Sequence, residues 1–254
     1  MVEQNKKVKT ILIAQPEPEG KSPYVSLQKK HNVKIDFRPF MHLEEITAMQ
    51  FKEQRISILN HDAVIFTSKK AMDHYFGMME KLRLRVPDFT KYFCVSEAIA
   101  HYLQNFITYR KRKIFTGEQT LASLIPVMQK HKESKFLFPC SDLLKNKINT
   151  SLEESGLDYT KAQMYKVACS DLSDLADVKY DVLVFFSPTG IKSLLENFPN
   201  FKQGETRLAA FGPTTIKSVE ENGLRVDIPA PNKKAPSMSM ALDQYIKEAN
   251  KRIR

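Results

Sequence analysis

The chain has 254 residues, about twice the length of an ordinary single domain, so two lobes are expected. Its 42% hydrophobic and 27% charged residues, with 8 glycines and 13 prolines, exclude disordered, fibrous and collagen-like classes. Lysine and arginine outnumber aspartate and glutamate 39 to 29, which points to an anionic partner: nucleic acid, an acidic membrane face or a polyanionic small molecule.

The N-terminal stretch Met1–Lys7 leads into an apolar run, Thr10–Ala14, without the long apolar core of a signal peptide, so a cytoplasmic protein is expected. No apolar run reaches the roughly 20 residues of a membrane span, and no membrane partner is expected. The first run reads as a buried strand closed by Gln15-Pro16-Glu17-Pro18. A helix follows around Tyr24–His31, then a β-rich stretch, Val33–Phe37. Asp62–Phe66 is a strand whose successor, Thr67-Ser68, opens a helix through Met72 and Tyr75. Tyr92–Val95 with Ala98–Leu103 repeats the pattern, as does Phe136–Phe138 with a helix to Glu154, stopped by Gly156. Val182–Phe186 precedes a helix from Pro188, and Leu208–Phe211 one from Pro213 ending at Gly223; a last helix covers Met238–Lys251. Short apolar strands alternating with helices imply α/β lobes with parallel sheets, covered by helices on both faces.

Segments recur in order. Asp62–Ser68 echoes Asp181–Ser187 at an offset of 119 residues, the unit around Ser96 echoes that around Gly212 at 116, and Ser26–Asp36 echoes Ser151–Lys161 at 125. Three similar offsets imply a duplicated unit. Because the twin of the first strand–helix–strand lies at about 135–165, one lobe could be discontinuous, built from both chain ends with the other inserted.

Cys94, Cys140 and Cys169 are odd in number, lie far apart and have no histidine at ligand spacing, so free thiols and no metal site are expected. No glycine-rich nucleotide loop, Walker motif, HExxH or GxSxG occurs, and no cofactor is expected. The basic run Arg110–Lys113 is short, with one aromatic neighbour and no nucleic-acid-binding motif; it reads as a solvated segment, and no nucleic-acid partner is expected.

Three turns follow strand ends and open helices: Thr67-Ser68-Lys69, Ser187-Pro188-Thr189-Gly190 and Gly212-Pro213-Thr214-Thr215. A hydroxyl at the N-cap and a proline at the first helical position make strong helix starts. In a parallel sheet such turns lie at the carboxyl edge, where their unpaired N–H groups and the helix dipole favour anions. Plain capping explains any one of them. Three in a basic chain point to binding of carboxylates or phosphates.

Phe185–Ile191, Leu208–Thr215 and Asn222–Val226 resemble the C-terminal half of uroporphyrinogen-III synthases. The resemblance extends to Ile65–Ser68, Leu137–Cys140 and Met164-Tyr165-Lys166, and covers nearly the whole chain in order. It implies two α/β lobes facing across a cleft: 1–37 with 168–254 as one lobe, 41–164 as the inserted lobe, and 38–40 with 165–167 as a two-stranded linker. It implies a monomer acting without cofactor on hydroxymethylbilane, a linear tetrapyrrole with eight carboxylates. The terminal hydroxyl leaves as water, the ring closes through a spiro intermediate, and the last pyrrole is inverted. Tyr165 is the implied catalytic residue, assisting loss of the hydroxyl. Thr67, Ser68, Lys69, Ser96 and the two C-terminal turns are the implied substrate-binding residues.

The chain departs from the family pattern in places. A Gly-x-x-Thr turn reads Ser96-Glu97-Ala98-Ile99, Arg-Pro after the first strand reads Gln15-Pro16, and a late threonine is Pro236. A non-catalytic anion-binding or regulatory protein on the same scaffold is the alternative that these changes leave open.

Overall fold

The computed structural model describes residues 7–145 and 150–251. In chain order, Thr10–Ile13 (β1), Pro23–His31 (α1), Lys34–Phe37 (β2) and Met41–Glu45 (β3) are followed by Ala48–Glu53 (α2), Ala63–Phe66 (β4) and Lys69–Lys81 (α3). Then come Lys91–Cys94 (β5), Glu97–Tyr102 (α4), Ile114–Thr116 (β6), Leu121–Gln129 (α5), Phe136–Ser141 (β7), Asp142–Lys145 (α6), Thr150–Glu154 (α7) and Tyr159–Cys169 (β8). The chain closes with Val182–Phe185 (β9), Pro188–Asn197 (α8), Arg207–Phe211 (β10), Pro213–Glu221 (α9), Ile228–Ala230 (β11) and Met238–Lys251 (α10).

These elements form an α/β structure with two mostly parallel sheets flanked by helices, and divide into two units. Unit 1 takes the described parts of Met1–His42 and Ala168–Arg254, and unit 2 takes Leu43–Val167. Residues 165–167 run inside β8, whose Tyr165 pairs with Ser141 of β7. The helix expected to run to Glu154 appears as α6 and α7; its stretch at 146–149 lies outside the described residues, as do 1–6 and 252–254.

Unit 1 carries the strand order β11-β10-β9-β1-β2. Alternate residues of each strand feed opposite faces, as a doubly covered sheet requires. Ile11, Ile13, Val182 and Val184 join α10 through Leu242 and Ile246 on one face. Leu12, Leu183 and Phe185 join α8 and α9 through Ile191 and Val219 on the other. Unit 2 carries the order β3-β8-β7-β4-β5-β6. Val64 and Phe66 pack with Met72 and Tyr75 of α3, whereas Ala63 and Ile65 pack with Leu124 and Met128 of α5.

When the recurring segments are matched, β1-β2 with β7-β8 and β9-β10-β11 with β4-β5-β6, the two sheets have the same strand order apart from β3. The recurrent aspartates also do the same work. Asp181 accepts from the Lys9 and Thr10 N–H groups at 2.8 and 2.9 Å, fastening the entry of β1 to β9. Asp62 accepts from the Lys135 N–H at 2.7 Å, fastening the entry of β7 to β4. Each satisfies a main-chain donor at the amino edge of a sheet, where the ladder has no acceptor to offer.

Candidate functional site

In each unit the crossover direction reverses at one place: between β1 and β9 in unit 1, and between β7 and β4 in unit 2. Loops leaving neighbouring strands there part to opposite faces and open a crevice at the carboxyl edge. The predicted site residues of unit 2 flank this point. Thr67 and Ser68 leave β4, and Ser141 with Asp142 leaves β7. A register shift between Cys140 and Ser141 pairs Ser141 with Tyr165, which brings the tyrosine to the same edge.

Tyr165 is only 9% exposed. Its ring stacks on His74 of α3 at 4.5 Å between centroids and an interplanar angle of 24°. Burial pushes the phenol above its ordinary pKa; the neighbouring Cys140 and Asp142 add to this, and the Ser68 hydroxyl opposes it. A neutral phenol is therefore the resting form, fit to donate a hydrogen bond and poor at surrendering its proton. His74 has a side chain 10% exposed with Nδ1 3.6 Å from the Glu45 carboxylate, and burial pulls its pKa below the usual histidine range. Glu45 is in turn held by Lys81. Sequence reading misses His74, Ser141 and Asp142. The only signal for them is their place near helix starts, since pairing with Tyr165 depends on the bulge.

The helix starts of unit 2 cap themselves. Ser68 accepts from the Ala71 N–H at 3.0 Å, and Ser96 from the Ile99 N–H at 3.4 Å. Each satisfies one of the free donors that a helix start leaves. Thr67 is half-buried; Lys69 is exposed, its ammonium 5.2 Å from the centre of the Tyr102 ring.

Unit 1 differs. Neither Ser187 nor Gly212, the N-cap residues of α8 and α9, caps its helix through a side chain. The Ser187 hydroxyl lies 2.8 Å from that of Thr189 instead. Pro188 and Pro213 occupy the first helical positions, where proline removes no needed donor. Gly212 holds φ 88° and ψ 151°, a conformation open essentially to glycine alone, and its N–H donates to the Ala230 carbonyl at 2.6 Å. The first-turn N–H groups of Thr189, Thr214 and Thr215 have no side-chain caps, and they open helices that follow the adjacent strands β9 and β10. Not every predicted residue faces outward. Thr214 is exposed, but Thr215 is 1% exposed and Gly190 is buried. A Cβ on Gly190 would sit 3.1 Å from Phe185 Cδ1, so this glycine lets α8 lie close on the sheet. The Gly190 N–H is taken by the Ser187 carbonyl at 3.1 Å.

Among the described residues no cluster of histidine, cysteine, aspartate or glutamate could hold a metal ion. No helix among them is long and apolar enough to cross a membrane.

A family model described as uroporphyrinogen-III synthase HemD matches residues 22–239, most of the chain. The chain belongs to the uroporphyrinogen-III synthase family. That membership makes it an enzyme of tetrapyrrole biosynthesis, a cyclising hydro-lyase with a small tetrapyrrole substrate. The fold is similar to that of uroporphyrinogen-III synthetase from Helicobacter pylori 26695, with 19% identity, a TM-score of 0.56, and 95% of this chain and 100% of that one covered. Uroporphyrinogen III synthase from Thermus thermophilus aligns over 96% of this chain and 100% of its own, with 16% identity and a TM-score of 0.41. No curated protein sequence matches the chain.

Proposed function

We propose that the chain converts hydroxymethylbilane to uroporphyrinogen III as a cytoplasmic monomer, with no cofactor and no nucleic-acid partner. The starts of α8 and α9 carry the reading. There a run of main-chain donors is left free of side-chain caps, next to exposed Thr214 and the Ser187–Thr189 hydroxyl pair. Carboxylate arms are strong acceptors for such donors, and a net charge of +10 draws an eight-fold acid towards the protein.

Left in water, the linear substrate closes without inversion. The protein must hold it folded so that the substituted carbon of the last ring reaches the electrophilic end, which is catalysis by positioning. Tyr165 hydrogen-bonds to the departing hydroxyl, helping the carbon–oxygen bond to break; the hydroxide becomes water with the proton that the substrate's pyrrole carbon gives up on ring closure. The tyrosine's raised pKa keeps the donor in place throughout, and limits it to polarising the bond. The matching strand order of the two units supports their descent from one ancestral unit.

The test is to incubate the purified chain with hydroxymethylbilane and separate the product isomers. Isomer III formed faster than spontaneous closure is expected. Isomer I alone, at the uncatalysed rate, overturns the proposal and leaves a non-catalytic anion-binding protein on this scaffold.

A further inference from the structure

Unit 2 contains a cavity of about 500 Å³ that takes no part in the reaction described above. It is bounded by the C-terminal half of α3, the loop before β5 and the loop before β6. Thr90 and Tyr92 stand at the start of β5, and Ile114 at the start of β6. Helix α3 runs back along its sheet from Ser68, so its far end, with this cavity, lies at the amino edge, opposite the helix starts.

The wall is aromatic and aliphatic. Phe76 and Phe106 stack at 4.4 Å and an interplanar angle of 5°, and Leu84, Val86 and Ile107 complete the apolar lining. The rim is charged: Arg85, Arg110 and Lys113 stand against Glu80 and Asp88. Asp88 takes Arg110 at 3.8 Å, and among the described residues no ion pair holds Arg85 or Lys113. One polar atom at the wall is unusual. Thr90 is 2% exposed, and its hydroxyl is buried without a hydrogen-bond partner. Such a group costs stability unless something supplies the missing bond. Two cations without ion pairs, an apolar body and one waiting hydroxyl describe a complement to a flat apolar anion.

We infer that this cavity is a binding site for a small aromatic acid, its ring seated by Phe76 and Phe106 and its anionic group held by Arg85, Lys113 and the Thr90 hydroxyl. The site gives a place to Arg110 and Lys113, the two ends of a basic run that the reaction leaves without a role. A cavity of this size admits a fused two-ring acid.

The probe is 1-naphthoate, titrated against the full chain by calorimetry and by displacement of the dye 8-anilinonaphthalene-1-sulfonate. One saturable site is expected, weakened by added salt. Arg85→Glu with Lys113→Glu should weaken it about ten-fold, since reversal replaces attraction by repulsion at both cations. Thr90→Val keeps the shape and removes the hydroxyl, and should weaken it roughly three- to ten-fold without lowering the melting temperature. Ile107→Trp should fill the cavity and abolish binding; a circular dichroism spectrum like the parent's establishes that it folds. No saturable binding overturns the inference. So does binding equally tight in all three variants, which would put the probe elsewhere, as in the 760 Å³ cavity of unit 1.

Discussion

Replacing Tyr165 by phenylalanine separates the hydroxyl from everything else the residue does. The ring and its 4.5 Å stack on His74 remain, as does the burial of a side chain only 9% exposed. The change removes the phenol's interaction with the Ser68 hydroxyl. Ser68, only half-buried, still accepts from the Ala71 N–H at 3.0 Å. The stability cost is therefore no more than that of a single hydrogen bond, about 1 kcal/mol. The effect on turnover should be larger. General acid assistance typically contributes about 10²- to 10⁴-fold, but a phenol whose pKa is raised stays at or below the weak end of that range. A fall in kcat of roughly 10- to 100-fold is expected, or about 1.4–2.7 kcal/mol on the barrier. The assay measures kcat and the isomer ratio beside a thermal melt. Slower turnover should raise the share of isomer I, because spontaneous closure then competes. A kcat within about two-fold of the parent refutes a role for the hydroxyl. A collapse of the melting temperature would assign Tyr165 to structure.

Two further outcomes follow from local geometry. In Gly212→Ala the added Cβ meets nothing within 4 Å, so its cost is backbone strain at φ 88°, about 1–3 kcal/mol. The variant should melt several degrees lower and show a raised KM; a melt like the parent's would contradict the strain argument. His74 is held below the ordinary histidine value of 6.5 by burial, against the pull of Glu45 and Asp73, while Lys70 adds to the depression. The unfolded chain therefore binds the His74 proton first as pH falls. The stabilisation is fully present above about 6.5 and is lost as pH drops through the lower folded value. Denaturant melts at about pH 7.5 and 5.5 should show a smaller loss in His74→Phe than in the parent; equal losses would refute it.

The parallel α/β architecture was legible because buried strands such as Val182–Phe185 are continuous apolar runs and the helices after them begin with strong start signals. The recurrence of Asp62 and Asp181 marked equivalent places in two sheets, although only the structure explains it, through the main-chain donors those carboxylates accept from. Other elements carried no such signal. Met41–Glu45 is an exposed edge strand with only two apolar residues, Met41 and Leu43, so its sequence, MHLEE, does not announce itself. Leu121–Gln129 contains Pro126, which argues against helix in a pattern search, yet the Thr120–Ser123 capping box starts it. In the candidate site, the turns were readable and their energetics were not. Nothing in the letters says that Ser68 caps its helix while Ser187 bonds Thr189, or that Gly190 serves packing. The His74–Tyr165 stack joins residues far apart in sequence through a strand bulge, and pairings of that kind are decided by register.

The claim on which the account rests is that main-chain donors opening α8 and α9 receive carboxylates. Titrating ¹⁵N-labelled protein with uroporphyrinogen III, without oxygen, tests it directly. The amide protons of Thr189 and Thr214 should move downfield together, saturate at one equivalent, and show the largest shifts in unit 1. If those two amides stay in place while others move saturably, the acid binds elsewhere and the account is wrong.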